Sequence, residues 1–102
     1  MIYKIRPYKQ EDIDDIISCW ENSSKIAHPF LTQEFLNQEK YNIVNIYLPN
    51  SDTWIAEFNL NIIGIMSLLG NEIGGIFVAP EFHCKGVGTS LINKAQELHI
   101  LV

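Results

Sequence analysis

Apolar and polar positions change period three times along this chain. Residues 2–6 alternate, with Ile2, Tyr3 and Ile5 among polar neighbours, and stop at Pro7, which predicts a first strand at a sheet edge. From Glu11 the apolar positions become Ile13, Ile16, Ile17 and Trp20, the spacing of one helical face. Glu11, Asp12 and Asp14 fall in its first turn, where the helix dipole favours negative charge. Residues 22–29 read as a loop. A second helix is expected at Thr32, a good N-cap, with Leu31 and Leu36 spaced to staple across it. Leu36, Ile43, Val44 and Tyr47 continue one face until Pro49 ends the pattern.

Beyond the turn residues 49–52 the period becomes two. Strands are expected over residues 53–58, with Trp54, Ala56 and Phe58 on one face, over 62–69, and over 72–79. The connections at 59–61 and Gly70-Asn71 are short, so these strands are expected to be antiparallel neighbours. Their apolar density suits a sheet covered on both faces. Val87, Leu91, Ala95 and Leu98 define a last amphipathic helix. The order is β-α-α-β-β-β-α, an α+β arrangement of helices on a sheet. Trp20 and Trp54 fit this periodicity as core residues, and Tyr41 and Tyr47 need no chemical role.

Composition narrows the function classes. The chain has 102 residues, 47% hydrophobic and 19% charged, which suits one folded domain over 1–102. Seven Lys and Arg against twelve Asp and Glu give a net charge of −5, too acidic for a nucleic-acid partner and suited to a cationic acceptor such as an amine. No stretch is long enough to span a bilayer, and the N-terminus lacks a secretory pattern, so a cytoplasmic location is expected. Cys19 and Cys84 have no metal-ligand spacing and are expected to be free thiols.

The chemistry concentrates between the last expected strand and the last expected helix, IFVAPEFHCKGVGTSL, residues 76–91. A pyrophosphate needs several backbone N–H groups aimed into one small space without side chains in the way. Gly86 and Gly88 remove Cβ at two positions and allow positive φ. The following helix adds its unpaired first-turn N–H groups, Lys85 a positive charge and Thr89 a hydroxyl. Three spaced glycines in a parallel βαβ unit, the dinucleotide pattern, are absent, as is the Gly-Lys-Ser/Thr of a nucleotide P-loop.

With Val78, Pro80, His83, Gly86 and Gly88 in register after a strand and before a helix, the sequence resembles the GNAT superfamily of N-acetyltransferases. The segment Cys19-Trp20-Glu21…His28-Pro29-Phe30-Leu31 is similar to the same region of small bacterial members. The resemblance implies a GNAT-like, mainly antiparallel sheet with helices on both faces, and acetyl-CoA as co-substrate. It implies a pyrophosphate cradle from His83, Cys84, Lys85, Gly86, Val87, Gly88 and Thr89, and an oxyanion donor at a backbone N–H near Phe77 and Val78. Direct attack of an amine on the thioester then needs orientation of both reactants and a route for the amine proton. Glu72 and Glu57 are candidates for that route, although a solvent-facing strand carboxylate is the commoner state. His28 and Phe30 lie in the loop that borders the acceptor site in this family. His83 stands where the family usually has Gln or Arg. Cys84 at a helix N-terminus suggests a nucleophile, but its position in the motif is variable and no base is assigned to it.

The family pattern continues past this helix with a fifth strand, a further helix and a closing strand pair, whereas this chain stops at residues 99–102, where that strand would begin. A truncated domain that binds CoA without turnover is therefore the alternative function. An open sheet edge also suits strand addition or a homodimer.

Overall fold

A computed structural model describes residues 2–98. The fifth-strand start expected at residues 99–102 lies outside them. Strand β1 (Lys4–Pro7) is followed by helix α1 (Ile13–Ala27), a helical rod made of α2 (Gln33–Asn42), a π turn (Ile43–Tyr47) and α3 (Leu48–Asn50), then β2 (Asp52–Phe58), β3 (Asn61–Leu69), β4 (Glu72–Val78) and α4 (Val87–Glu97). The strands form one sheet in the order β1-β2-β3-β4, each pair antiparallel. Pro7 sits on the edge strand, where its missing N–H breaks no interior ladder.

The short connections work as hairpins. Asn59 and Leu60 both take positive φ, 50° and 66°, as a two-residue turn of the right-handed twist requires, and Gly70 does so at 61° in the next turn. Each hairpin carries a register irregularity. Ala56 pairs with Gly64 and Glu57 with Ile62, leaving Ile63 extra; Ser67 pairs with Gly75 and Leu68 with Ile73, leaving Gly74 extra.

Adjacent strand residues are buried on opposite faces. Ile55 and Ile65 pack with Ile16 and Cys19 of α1, while Ala56, Met66 and Leu68 pack with Val87, Leu91 and Ala95 of α4. The expected apolar density is thus explained by helices on both faces. Leu98, expected on the buried face of α4, is its C-cap and is partly exposed.

Two boundaries differ from those expected. Residues 22–27 are helical, and only 28–31 form the connection. The Ser-rich stretch stays in the helix with the Ser23 hydroxyl partnered: its Oγ lies 2.8 Å from the Cys19 carbonyl and 3.0 Å from the Val78 carbonyl. Lys40 and Lys25 also pair with Glu21 on the same helix. Thr32 caps α2 as expected, accepting the Phe35 N–H at 3.1 Å, and Leu31 and Leu36 share one apolar cluster. The rod, however, continues through Pro49. The π turn makes a five-residue step, Leu48 N–H to Ile43 carbonyl, so Leu48 joins Ile43 and Leu36 in the core and Tyr47 turns outward.

Arg6 holds the β1 edge of this layer. Its guanidinium donates to both Asp12 oxygens at 2.8 and 3.0 Å and to Glu57 at 3.3 and 3.5 Å. The Arg6 bonds hold the Asp12 carboxyl below the usual carboxylate range against the opposing effect of burial, and they raise the guanidinium's own pKa. A depressed folded pKa contributes stability above the ordinary Asp value near 4 and loses it as pH falls below that value. Arg6→Ala is therefore expected to destabilise the fold by about 1–2 kcal/mol at pH 7. The difference from wild type should shrink in melts taken progressively below about pH 4. A deficit that does not change with pH would contradict this assignment.

Candidate functional site

The chain leaves β4 at Val78 and enters α4 at Val87, and the connection is shaped by three backbone choices. Pro80–Phe82 makes a single 3₁₀ turn, Cys84 takes φ 62°, and Gly86 takes φ 84° as the N-cap of α4. Gly86 needs the left-handed conformation, which a side chain disfavours. At Gly88 an added Cβ would meet only Val78 Cγ2 at 3.9 Å, so its missing side chain leaves open space. The result is a hollow of about 420 Å³ lined by Val78, Phe82, His83, Cys84, Gly86, Val87, Gly88 and Thr89. The expected cradle residues come together there, except Lys85, which sits exposed in the same turn outside the lining. Val87, Gly88 and Thr89, first-turn residues of α4, line this hollow, and the N–H groups of a helix's first turn have no partner within the helix, an arrangement that suits an anion.

His83 has a different contact from the one expected. Its Nε2 lies 2.9 Å from the Val78 carbonyl oxygen, so the ring donates there and ties the loop to the end of β4. Ser23 Oγ reaches the same oxygen. The Ala79 N–H bonds the Ile63 carbonyl at 2.8 Å, so the Val78 carbonyl, antiparallel to it across one planar peptide, points away from β3. In an extended strand the Val78 N–H faces the same outer side. That N–H is the backbone donor position expected near Phe77 and Val78.

Phe77 belongs to a second hollow, on the α1 side of the sheet. It holds about 320 Å³ between Ile16 and Trp20 of α1, Glu39, Ile43, Tyr47 and Leu48 of the rod, and Ile65, Ser67, Leu69, Gly74, Gly75 and Phe77 of the sheet. Gly74 and Gly75 lie in its lining, where the side chains of Leu69 and Phe77 pack over them, and Glu39 is the charged residue in its wall. Consecutive residues Phe77 and Val78 therefore link the two hollows.

Neither strand carboxylate reaches this arrangement. Glu57 lies on β2 and is engaged by Arg6 beside β1, at the opposite edge from β4. Glu72 opens β4 opposite Leu69, roughly 20 Å along the strand from Val78 at the usual rise per residue. His28 and Phe30 meet edge to face at 6.1 Å between ring centroids in the α1–α2 connection, and neither lines either of these two hollows. Cys84 is exposed, while Cys19 is buried and its thiol is pushed up to about 11, first by burial and then by Glu81 nearby.

Three contributors escaped the sequence pattern. Glu39 was hidden because periodicity marks apolar faces, not the charged residue at their border. Ser23 was assigned to a loop. Tyr3 looked like a strand residue, yet its hydroxyl lies 3.0 Å from the Gly86 carbonyl oxygen, a contact across 83 residues.

An antiparallel sheet with helices on both faces, leading through a glycine-shaped loop into a helix, defines a GNAT-like acetyltransferase domain. The chain belongs to that family: the family model described as "Acetyltransferase (GNAT) domain" matches residues 49–101, more than half of its length. It is 26% identical over 96 residues to the peptidyl-lysine N-acetyltransferase YiaC of Escherichia coli K12, covering 93% of this chain and 66% of that protein. The apo solution structure of E. coli YjaB superposes with a TM-score of 0.81 at 26% identity, covering 96% of this chain and 67% of that one. The PaiA N-acetyltransferase of Thermoplasma acidophilum, solved with coenzyme A, shares the fold at a TM-score of 0.75 and 19% identity, covering 96% and 72%. The chain spans about two thirds of the length of these relatives. Among the described residues, no helix is long and apolar enough to cross a membrane.

Proposed function

We propose that this chain binds acetyl-CoA through the β4–α4 loop and transfers the acetyl group to an amine held in the hollow beside Phe77. The observation that carries the reading is the loop itself, a hollow opened by two glycines at a helix N-terminus in a chain of the GNAT family. Its lining fits a pyrophosphate: left-handed Gly86, open space at Gly88 and the hydroxyl of Thr89. The outward Val78 N–H lies where a thioester crossing between the hollows would present its carbonyl oxygen.

In the reaction the amine nitrogen attacks the thioester carbonyl carbon within a ternary complex. A C–N bond forms, the C–S bond breaks, and the proton released by nitrogen balances the one taken up by the CoA thiolate. The apolar walls from Ile16, Trp20, Ile43 and Leu48 suit an aliphatic stem, and Glu39 is placed to accept the amine proton at its end. Relatives named as peptidyl-lysine N-acetyltransferases make lysine peptides the first acceptors to try.

Thiol release from acetyl-CoA over a panel of amines and lysine peptides tests this reading. Glu39→Gln is expected to lower kcat/KM by roughly 10²-fold while leaving CoA affinity unchanged. CoA binding without transfer to any acceptor would instead favour a non-catalytic CoA-binding domain. Exposed β4 also offers an edge for a second copy, and sedimentation as a clean monomer at micromolar concentration would remove that arrangement.

A further inference from the structure

Strand β1 begins one residue after Tyr3, yet the Tyr3 side chain makes its polar contacts at the start of α4. Its hydroxyl lies 3.0 Å from the Gly86 carbonyl oxygen and 2.7 Å from Ser90 Oγ. The same carbonyl accepts the Ser90 N–H at 3.0 Å, the first full-turn bond of α4. Gly86 has no side chain with which to cap the helix, and at φ 84° it occupies one of several wells open to glycine. Its orientation is therefore set by what holds its carbonyl.

A trans peptide is planar, with C=O and N–H pointing in opposite directions. Whatever fixes the Gly86 carbonyl toward the body of α4 aims the Val87 N–H out of the helix end, into the hollow that Gly86, Val87 and Gly88 line. Tyr3 supplies a second bond to that carbonyl from another element, so rotating the peptide would break two contacts rather than one. We infer that Tyr3 is a positioning residue for the anion cradle: it holds the Gly86–Val87 peptide with its N–H aimed at the bound diphosphate. This rests on reading the β4–α4 loop as the pyrophosphate site. The hydroxyl touches no ligand atom in this role and acts through the peptide.

Tyr3→Phe tests it, because the ring packs against the α4 side of the core and should stay there when only the hydroxyl is lost. In the ligand-free protein, amide hydrogen exchange at Ser90, whose N–H bonds the Gly86 carbonyl, is expected to quicken by roughly tenfold. Affinity for CoA should fall about 5–10-fold. Acetyl-pantetheine, which lacks the diphosphate, should bind wild type and variant alike at millimolar concentration. Ser90→Ala keeps the Tyr3–Gly86 contact and should weaken CoA less than Tyr3→Phe does. Unchanged CoA affinity in Tyr3→Phe would overturn the positioning role, and so would an equal loss of acetyl-pantetheine. Wild-type protein that binds no CoA would sink the pyrophosphate reading, and faster exchange in the variant would then leave Tyr3 as a clamp on the fold alone.

Discussion

Gly88→Glu should lower CoA affinity at least 100-fold and leave the protein as stable as before, or slightly more so. The two effects separate because Gly88 lies inside the first turn of α4, with helical backbone and no positive φ to lose. An added Cβ meets only Val78 Cγ2, at ordinary contact distance. A carboxylate there interacts favourably with the helix N-terminus, by about 0.3–1 kcal/mol. The same charge occupies the hollow and repels a diphosphate in the place where donors converge. Titration calorimetry and a thermal melt on one sample read both effects. Gly86→Glu should abolish binding too, but with a loss of stability, since φ 84° strains any side chain. If Gly88→Glu bound CoA like wild type, the loop would not be the phosphate site.

Leu91→Ala should have the largest effect on stability, about 3–4 kcal/mol by urea denaturation. Leu91 is fully buried between α4 and the sheet, in one cluster with Met66, Leu68 and Val87. The position facing it is Gly64, where a Cβ would lie 3.3 Å from Leu91 Cδ1 and 2.9 Å from Val87 Cγ1. With no side chain at Gly64 to move into the void, the cavity persists and the loss falls in the upper part of the range for such truncations. For a domain of marginal stability that is a large fraction of the total. Gly64→Ala should destabilise wild type by about 1–2 kcal/mol through these close approaches. In the Leu91→Ala background it should destabilise less, because one of the two close contacts is gone, and the double-mutant cycle reads that coupling. A Leu91→Ala deficit below about 1 kcal/mol would contradict the packing described.

Much of this architecture follows from periodicity that the folded chain respects. The alternation at 53–58 and the apolar run at 62–69 mark strands whose consecutive residues are buried on opposite faces, and the 87–95 stripe marks the face of α4 that covers one of them. Positive φ is legible as open to both Gly86 and Gly88; the structure uses it at Gly86 alone, as the N-cap of α4. What escaped depends on partners distant in the chain. Ser23 stays helical because its hydroxyl finds the Val78 carbonyl 55 residues away. Leu48 is buried in place of Tyr47 because a π turn shifts the register, an event with no mark in an apolar pattern. Glu57 reads as a candidate from its strand alone, but Arg6, which also holds Asp12, engages it, and nothing in the apolar pattern marks Glu39 as bordering a hollow. Local chemistry was readable; charge pairing across the sheet was not.

Calorimetric titration of the wild-type protein with CoA, run beside pantetheine, tests the central claim most directly. Saturable binding of CoA, lost in Gly88→Glu and much weaker for pantetheine, is the predicted result. Equal affinity for CoA and pantetheine, or no CoA binding at all, would contradict it.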